Sequence, residues 1–470
     1  MEKVLYYSLM LSFLLSSCGQ PAKKETTIGQ PRLVSQLVTN ELGKTYLEVE
    51  GEPFFYNGVQ AWLPQDGNYE VFMQKAHEVG YQIFTFWFPW RSIEANKGEY
   101  NWTVLNDMIE MAEKYDMRLD IVWGGSNFCG GLDKRFAPDF IMDNPDFAVK
   151  DEYGRIKYVK KFDMGLCPVA DYSSQKLLAI EQETVKAFMD YLLKRDTTNR
   201  VVFFQVENEV NLFDFSLQDK KVVLDYCDRI GQVVKEAPYR IATRMNLAGK
   251  SYEPLIDSLQ FIDCQGVDIY TDEIEILDRS INYKTRMPHV AENAAYDNSS
   301  TLMARAFAQG GFYNIYRLDY DYVWKKPGVY GDDWIYLPQT FDIGMLNKGL
   351  NKIAAQVAQA SPELMVTFNT ETKMPQAKYE VFKILGNHEI GYRSSAKWNE
   401  EGIGFTLLYD NKLYVVSDND CTFLFKEPIE AVAGQFIKNE WKTGFKLDTS
   451  LKNGLYEISY TKGDCVQISF

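Results

Sequence analysis

Histidine is scarce in this chain, and the cysteines are not arranged to bind a metal ion. The three histidines, His77, His289 and His388, lie far apart and have one glutamate each nearby. The seven cysteines include no Cys-x-x-Cys pair, the spacing that zinc sites and thiol–disulfide enzymes use. A chain of 470 residues also needs no disulfide framework to hold its core. The sequence therefore argues against a metal enzyme, and we expect no cofactor.

The chain also has no excess of positive charge and no phosphate-binding motif. Acidic residues outnumber basic ones by 65 to 50, which gives a net charge of −15. Such a charge repels a phosphate backbone, so nucleic acid is not an expected partner. The glycine pairs at 124–125 and 130–131 are not followed by Lys-Ser or Lys-Thr, so no phosphate-binding loop is predicted. Beyond the N-terminus no apolar run reaches about 18 residues, the length that a membrane-spanning helix needs.

The N-terminus has the outline of a bacterial export signal. A short charged start precedes an apolar run over residues 4–15, as in secreted precursors. The following Leu-Ser-Ser-Cys resembles a lipobox, in which the cysteine becomes the acylated first residue of a bacterial lipoprotein. We therefore expect a signal peptide over 1–17, lipidation at Cys18 and a flexible tether over 18–45. An ordinary secretory signal with an incidental cysteine is the alternative.

This N-terminus predicts a protein of the bacterial cell envelope. The lipid at Cys18 would anchor it in the outer membrane, on the periplasmic or the surface face. The lipid anchor is then its only expected link to the membrane.

From residue 46 onward, short apolar segments alternate with amphipathic helical segments. This alternation is typical of a parallel sheet covered by helices. Eight such segments within about 330 residues predict a (β/α)8 TIM barrel over residues 46–375. A doubly wound sheet is the alternative, but no glycine-rich fingerprint follows the first segment. The predicted strands are 54–62, 82–88, 119–123, 201–206, 239–245, 261–270, 289–292 and 312–318.

The sequence changes character near residue 374. Alternating apolar and polar positions occupy short segments such as 404–409 and 412–416, separated by turn residues. We therefore expect a small antiparallel β-sandwich domain over residues 376–470, with a last helix at 379–385.

Glutamates stand at the ends of two predicted barrel strands. Strand 201–206 leads directly into Glu207, Asn208 and Glu209, and Glu292 ends the segment 289–292. Burying carboxylates is costly unless they are partnered, so these strand ends are expected to open into a polar site. Glycoside hydrolases use two carboxyl groups on one face of a barrel. One protonates the leaving oxygen, and the other attacks the sugar carbon or activates water. Salt-bridged strand ends are the alternative.

Residues 205–209, Gln-Val-Glu-Asn-Glu, match a signature of glycoside hydrolase family 35. Residues 90–94 and 98–102 are similar to a segment shared by families 35 and 42. The order of motifs resembles the bacterial branch of family 35 that carries a small C-terminal β domain, over about two thirds of the chain. The resemblance implies a retaining β-galactosidase that acts on an oligosaccharide or polysaccharide by double displacement.

The resemblance also implies roles for single residues. It makes Glu209 the acid/base and Glu292 the nucleophile, with Asn208 on the sugar 2-hydroxyl and Tyr270 orienting the nucleophile. The two carboxyl groups of a retaining pair lie about 5 to 5.5 Å apart. We expect the pKa of Glu209 to be raised and Glu292 to stay ionised, with help from Tyr270.

Aromatic residues, 14% of the chain, supply flat rings that stack on the apolar face of a pyranose. Trp90, near the end of the second predicted strand, and Trp324, after the eighth, are predicted to contact sugar. Asn127 is a predicted ligand of a sugar hydroxyl. For each tryptophan, core packing is the alternative. Glu207 is expected to be a buried strand-end charge paired within the barrel.

The chain departs from family 35 where the sugar is recognised. Residues 123–127, Trp-Gly-Gly-Ser-Asn, replace the Cys-Ala-Glu-Trp segment of typical β-galactosidases of the family, and Ala95 replaces a proline. Activity on a mannoside, a glucoside or an arabinoside is therefore an alternative, as is a non-catalytic carbohydrate-binding lipoprotein. The paired glutamates argue against the binder, because two carboxylates that repel each other bring it no benefit. The sequence assigns no linkage, exo or endo action, or oligomeric state.

Overall fold

The computed structural model describes most of the chain after residue 28. The described residues are 29–61, 70–127, 136–160, 166–212, 214–249, 252–270, 274–294, 299–316, 338–370, 380–395 and 402–470. Two predicted sites, lipidation at Cys18 and sugar contact by Trp324, lie outside the described residues.

Eight parallel strands close into a barrel, which confirms the predicted fold. In chain order they are β1 (Asn57–Ala61), β2 (Ile83–Pro89), β3 (Arg118–Gly124), β4 (Val201–Asn208), β5 (Ala242–Leu247), β6 (Cys264–Ile269), β7 (His289–Ala294) and β8 (Phe312–Tyr316). Each strand pairs with the next in the chain, and β8 pairs with β1. Every residue of β1, β4, β5 and β6 is buried, as expected for parallel strands covered on both faces.

Helices connect the strands and cover the barrel. Their bounds are Glu70–Val79, Trp90–Ile93, Thr103–Lys114, Asp139–Met142, Gln175–Arg195, Lys220–Glu236, Ser299–Ala308, Pro338–Asn351 and Ala354–Gln359. In the long helix before β4, the Ser174 hydroxyl caps the first turn by accepting from the amide of Leu177. Its buried stripe includes Val185, Phe188 and Leu192, which pack against the sheet. Among the described residues, no helix has both the length and the apolar character needed to cross a membrane.

The tether predicted over 18–45 is wrong from residue 32 onward, because this part of the chain forms strands. They are Arg32–Leu33, Ser35–Thr39, Thr45–Val49 and Glu52–Phe54, the last three forming one antiparallel sheet. The Ser35 hydroxyl donates to the carbonyl of Val202 and accepts from the amide of Ala242 at 3.0 Å. The sheet therefore lies against the N-terminal ends of β4 and β5, where long-range contacts order a short segment that sequence periodicity does not reveal.

Two antiparallel sheets follow the barrel. One has the strand order Met365–Thr370, Gly402–Tyr409, Lys412–Ser417, Val466–Ser469, Glu430–Ile437, Glu440–Leu447, and the other Glu380–Leu385, His388–Ser394, Cys421–Phe425, Leu455–Tyr460, Thr449–Lys452. Phe368 of the first sheet packs with Tyr392 and Phe423 of the second in one buried cluster, so the sheets form the predicted sandwich.

Two details of this β domain differ from the prediction. Its first strand begins at Met365, before the predicted boundary at residue 376. The helix predicted at 379–385 is wrong, because Glu380–Leu385 pairs with His388–Ser394 in a hairpin. Strand pairing therefore decides the structure of a segment whose apolar spacing is ambiguous.

The β domain packs directly on the barrel. Leu407, Val416 and Cys465 belong to the same buried hydrophobic cluster as the barrel residues. The ammonium group of Lys352, just after helix Pro338–Asn351, lies 3.0 Å from the Asp464 carboxylate. The two units therefore share a continuous core.

Candidate active site

Glu209 follows β4 in a strained segment of backbone. The φ angles are +59° at Glu207 and +49° at Glu209, in the left-handed region that residues other than glycine rarely adopt. The Glu209 amide donates to the carbonyl of Asn246 on β5 at 2.9 Å, which fixes this turn. Such strain persists only where the surroundings impose it, and it concentrates at functional sites. Glu209 thus stands at the C-terminal end of the barrel, where TIM-barrel enzymes carry their active sites.

Glu292 lies on β7 and is only 5% exposed. Its Oε1 accepts from Nε2 of Gln60 on β1 at 3.0 Å, and its Oε2 accepts from the hydroxyl of Tyr270, directly after β6. Burial, followed by repulsion from Glu209, raises the pKa of Glu292 to about 7. The hydrogen bonds from Tyr270 and Gln60 act in the opposite direction. The predicted contact with Tyr270 is present and lowers the pKa of Glu292 as expected, although burial outweighs this effect.

A third carboxyl group, that of Asp268, lies beside both glutamates. Asp268 is on β6, pairs in register with Glu292 on β7, and is 2% exposed. Neither of its oxygens has a hydrogen-bond partner of good geometry among the described residues, but the Glu209 carboxyl group and the Asn246 side chain both lie close enough to shift its pKa, in opposite directions. Burial, and then repulsion from Glu292 and Glu209, raises the pKa of Asp268 well above its usual range.

The proximity of Glu209 and Asp268 favours a protonated form of the pair. Two neighbouring carboxylates repel each other, so ionisation of one opposes ionisation of the other. Sequence reasoning missed Asp268. The available signal was an acidic residue inside an apolar predicted strand, two positions before Tyr270.

Asn208, the last residue of β4, is held by its side-chain oxygen. Oδ1 accepts from Nε2 of Gln205 at 2.9 Å and from Nδ2 of Asn246 at 3.4 Å. The Nδ2 of Asn208 is buried and meets no acceptor within the described part of the chain. An unpaired buried donor costs about 1–3 kcal/mol, so this atom is a candidate contact for a bound hydroxyl.

Glu207 belongs to a buried polar cluster beside this strand end. Its carboxyl group accepts from the amides of Ser126 at 2.6 Å and Gly125 at 3.2 Å. A second buried carboxyl group, that of Glu181, accepts from the hydroxyl of Tyr226 at 2.7 Å. Burial, followed by the charge of Glu181, raises the pKa of Glu207 well above its usual range. Glu207 is therefore a buried strand-end group as predicted, but its partners are backbone amides and another acid.

Two other predicted sugar contacts have protein partners. Asn127 is 2% exposed and donates from Nδ2 to the carbonyl of Asn208 at 2.7 Å, which supports the strand end. Binding of a hydroxyl by Asn127 stays a prediction. Trp90 is fully buried, and its Nε1 donates to Glu94 at 2.6 Å. The prediction that Trp90 contacts sugar is wrong, because its ring lies in the core near Trp123, 6.5 Å away between ring centroids.

A buried ion pair lies within the barrel near Glu292. Arg244 on β5 and Asp120 on β3 are both fully buried, with 2.9 Å between Nη2 and Oδ2. The Tyr56 hydroxyl donates to the same oxygen at 2.5 Å. Arg244 also lowers the pKa of Glu292, so it partly offsets the cost of burying that carboxyl group. Among the described residues, no group of three or more His, Cys, Asp or Glu side chains is arranged to hold a metal ion.

Comparison with known proteins finds similar folds and no family. No protein-family model matches the chain, and no curated protein matches it. Three solved structures with related folds are each 12% identical to it. A β-galactosidase from the psychrophilic Marinomonas ef1 matches with TM-score 0.41 over 55% of this chain and 53% of that chain.

The other two structures are also named as carbohydrate-active enzymes. The exo-β-1,4-mannosidase Op5Man5 from Opitutaceae bacterium strain TAV5 matches with TM-score 0.41 over 60% of this chain and 53% of that one. A family 39 glycoside hydrolase from the gut symbiont Bacteroides cellulosilyticus WH2 matches with TM-score 0.45 over 93% of this chain and 87% of that one. The matched region spans about half the length of the galactosidase and of the mannosidase.

Proposed function

We propose that this protein is a retaining glycoside hydrolase that cleaves a β-linked glycan. The observation that carries the proposal is the meeting of two differently held acids at the C-terminal end of the barrel. Glu292 is held by donors from Gln60 and Tyr270, whereas Glu209 lies beside the buried carboxyl group of Asp268. Carboxyl groups whose environments differ in this way can divide the roles of nucleophile and acid.

The first step forms a glycosyl ester on Glu292. Glu209 gives its proton to the glycosidic oxygen while a carboxylate oxygen of Glu292 attacks the anomeric carbon, and the bond between that carbon and the leaving oxygen breaks. The donors from Tyr270 and Gln60 hold the attacking carboxylate in place. The alcohol departs with the proton that Glu209 gave.

The second step reverses these roles. Glu209, now a carboxylate, takes a proton from water as the water oxygen attacks the anomeric carbon, and the ester bond to Glu292 breaks. Two displacements at the same carbon restore its configuration. Because Asp268 lies beside Glu209 and repels its charge, the protonation of the two groups is linked while Glu209 changes its charge.

Asn208 has the atom needed to bind the sugar beside the reacting carbon. Its Oδ1 is occupied by Gln205 and Asn246, and its Nδ2 donor meets no acceptor among the described residues. We assign this donor to the sugar 2-hydroxyl, a contact that strengthens in the oxocarbenium-like transition state.

The proposals for the substrate and for the location of the protein rest on the sequence. The motif at 205–209 favours a β-galactoside, with a mannoside, glucoside or arabinoside as the other substrates to be tested. Cys18 and the apolar run before it support a lipid anchor in the outer membrane, and Trp324 stays a predicted sugar contact.

Hydrolysis of a panel of aryl α- and β-glycosides tests this proposal. The protein from residue 19 onward would be compared with Glu209→Ala, Glu292→Ala and, as a control on an outer helix, Glu78→Ala. We expect one β-glycoside to be cleaved, both active-site variants to lose at least about a thousandfold in kcat, and the control to keep its activity. Azide should rescue Glu292→Ala and give a glycosyl azide of inverted configuration. Cleavage that survives both active-site substitutions would show that the site is wrongly assigned.

A further inference from the structure

A cavity of about 530 Å³ lies in the β domain, lined by residues of two neighbouring hairpins and the strand between them. This volume falls within the range of about 300–1,000 Å³ that small-molecule sites occupy. The lining residues are Tyr409, Asp410, Lys412, Tyr414, Phe436, Asn439, Trp441 and Gln467.

The cavity is near the end of the barrel opposite the carboxyl groups. The amide of Phe436 donates to the carbonyl of Lys352 at 2.8 Å. The preceding residue, Asn351, donates from its side chain to the carbonyl of Gly80 at 2.8 Å. Gly80 precedes β2 and so marks the N-terminal end of the barrel. A ligand in this cavity therefore occupies a site distinct from the proposed active site.

Aromatic rings form one wall of the cavity. The Trp441 ring centroid lies 5.1 Å from that of Tyr414 and 5.4 Å from that of Phe436. Trp441 and Phe436 are half-buried, so part of this wall stays accessible. The cluster offers the kind of flat apolar surface on which the C–H face of a sugar ring stacks.

A glycine at a β-bulge holds the indole in place. Strand Glu430–Ile437 has an irregular register between Ala433 and Gly434. A Cβ at Gly434 would lie 2.8 Å from Cζ2 of Trp441, so the indole rests directly against the backbone here. Glycine permits such a close approach, which fixes the ring before any ligand arrives.

Polar groups of both signs share the cavity with these rings. Asp410 and Lys412 contribute one negative and one positive charge, while Asn439 and Gln467 contribute amides. Nε2 of Gln467 donates to the Tyr414 hydroxyl at 2.8 Å, which leaves that hydroxyl its own proton to donate. The charges of the lining side chains cancel, which favours a neutral ligand rich in hydroxyl groups.

We infer that this cavity is a second carbohydrate-binding site, which takes one or two neutral sugar units of a glycan. A sugar ring stacks on the Trp441 side of the wall while its hydroxyls pair with Asp410, Asn439 and Gln467. An apolar ligand would leave these polar groups unpaired at a cost, and an anionic or cationic ligand would meet one repulsive charge. The inference goes beyond the proposed hydrolysis, because binding here needs neither Glu209 nor Glu292.

Isothermal titration calorimetry on the full chain tests this inference. The background variant carries Glu209→Gln and Glu292→Gln so that no glycan is consumed, and the probes are gluco-, galacto- and manno-oligosaccharides. Trp441→Ala is compared with Phe445→Ala, an exposed aromatic on the same strand but outside the cavity. Asn439→Gly is the second variant, because it removes a cavity side chain while glycine keeps the positive φ of +62°.

We expect an oligosaccharide to bind to the background variant. Trp441→Ala should weaken this binding about tenfold, the loss of about 1.4 kcal/mol that a stacked ring supplies, and Asn439→Gly should weaken it by a smaller factor. Phe445→Ala should leave the affinity unchanged. The inference is overturned if Trp441→Ala and Asn439→Gly leave the affinity unchanged. It is also overturned if the wild-type protein hydrolyses glycosides but none of the oligosaccharide probes binds to the background variant. Trp441-dependent binding by a protein without hydrolase activity would support this site and refute the proposed function.

Discussion

At the scale of single residues, opposing effects set the charge of Glu292. Burial and the nearby Glu209 carboxyl group favour its protonated form, whereas the donors from Tyr270 and Gln60 favour the carboxylate. The resulting pKa of about 7 means that a proton must leave Glu292 before it can attack. The fall of kcat/KM on the acidic side of the pH profile should therefore follow the protonation of Glu292.

Removing the Tyr270 hydroxyl should move the acidic limb of the pH profile upward. In Tyr270→Phe, Glu292 loses a donor that favours its charged form, so its pKa should rise by about one to two units, given about 1.5–3 kcal/mol for a hydrogen bond to a charged group. The measurement is kcat/KM against pH for a cleaved aryl glycoside. Tyr283→Phe, which changes an exposed tyrosine, is the control. An acidic limb that stays in place would show that this hydrogen bond does not control Glu292.

Asp268 should control the alkaline limb in the same profile. While Asp268 can ionise, its charge opposes loss of the proton from Glu209. Asp268→Asn removes this repulsion and keeps the shape, so the pKa of Glu209 should fall and the alkaline limb should move to lower pH. A purely structural role for Asp268 would instead lower kcat without moving the limb.

At the scale of elements, a buried lysine connects the barrel to the N-terminal hairpin, in which Ser35–Thr39 pairs with Thr45–Val49. Lys44 is 6% exposed, and its ammonium group donates to the carbonyls of Thr45 and Gly310. Gly310 lies just before β8, so the contact spans the two elements. Burial lowers the pKa of Lys44 from 10.5 to about 7, because desolvation disfavours the charged form and no counter-charge from the described residues offsets it.

This lysine should make the stability of the fold depend on pH. The unfolded chain holds the Lys44 proton up to about pH 10.4, whereas the folded chain releases it near pH 7. The unfolded state thus binds more protons between these values, so stability should rise with pH in this window, by at most about 1.4 kcal/mol per unit. Lys44→Met should lose this part of the rise in urea unfolding at pH 7 and 9, while the exposed Lys97→Met should keep it. The same rise in both variants would contradict the account.

The elements also show what sequence patterns can and cannot predict. All eight barrel strands were predictable, because strands such as Val201–Asn208 are apolar runs bounded by polar residues. The strand Ser35–Thr39 was not, because its contacts with the distant β4 and β5 help to order it. The strand Glu380–Leu385 was not, because its apolar spacing is ambiguous until it pairs with His388–Ser394. Of the candidate site, Glu209 was predicted from the motif at 205–209, and Glu292 from its place at a predicted strand end and the family resemblance. Gln60, Asp268 and Arg244 were missed because only the closed barrel brings them to Glu292.

At the scale of the whole molecule, burial of the Glu292 carboxyl group lowers the stability of the fold at alkaline pH. Glu292 has a folded pKa of about 7 against an ordinary value of 4.5, so the folded state binds more protons between these values and becomes less stable as pH rises through them. Glu292→Gln should therefore be more stable than the native protein by about 1–3 kcal/mol at pH 8, with the difference vanishing near pH 4.5. Calorimetric unfolding at both pH values measures this. A variant less stable than the native protein at pH 8 would contradict it.

The candidate active site and the proposed second sugar site lie at opposite ends of the barrel. The acids stand at the C-terminal ends of the strands, and the cavity beside Trp441 lies near the N-terminal ends. The shared core of barrel and β domain holds the two sites in a fixed relation. A long glycan bound at one end would therefore be retained near the other.

Trapping of the glycosyl ester tests directly whether Glu292 is the nucleophile of a retaining glycoside hydrolase. The protein would be incubated with an activated 2-deoxy-2-fluoro glycoside of whichever sugar it cleaves. The fluorine slows both steps through their oxocarbenium-like transition states, and the activated leaving group keeps formation of the ester fast, so the ester accumulates. We predict one sugar per chain by intact mass spectrometry, located by peptide sequencing on Glu292, and no label on Glu292→Gln. Hydrolysis of the natural substrate with inversion, or a label on another residue, would contradict the account.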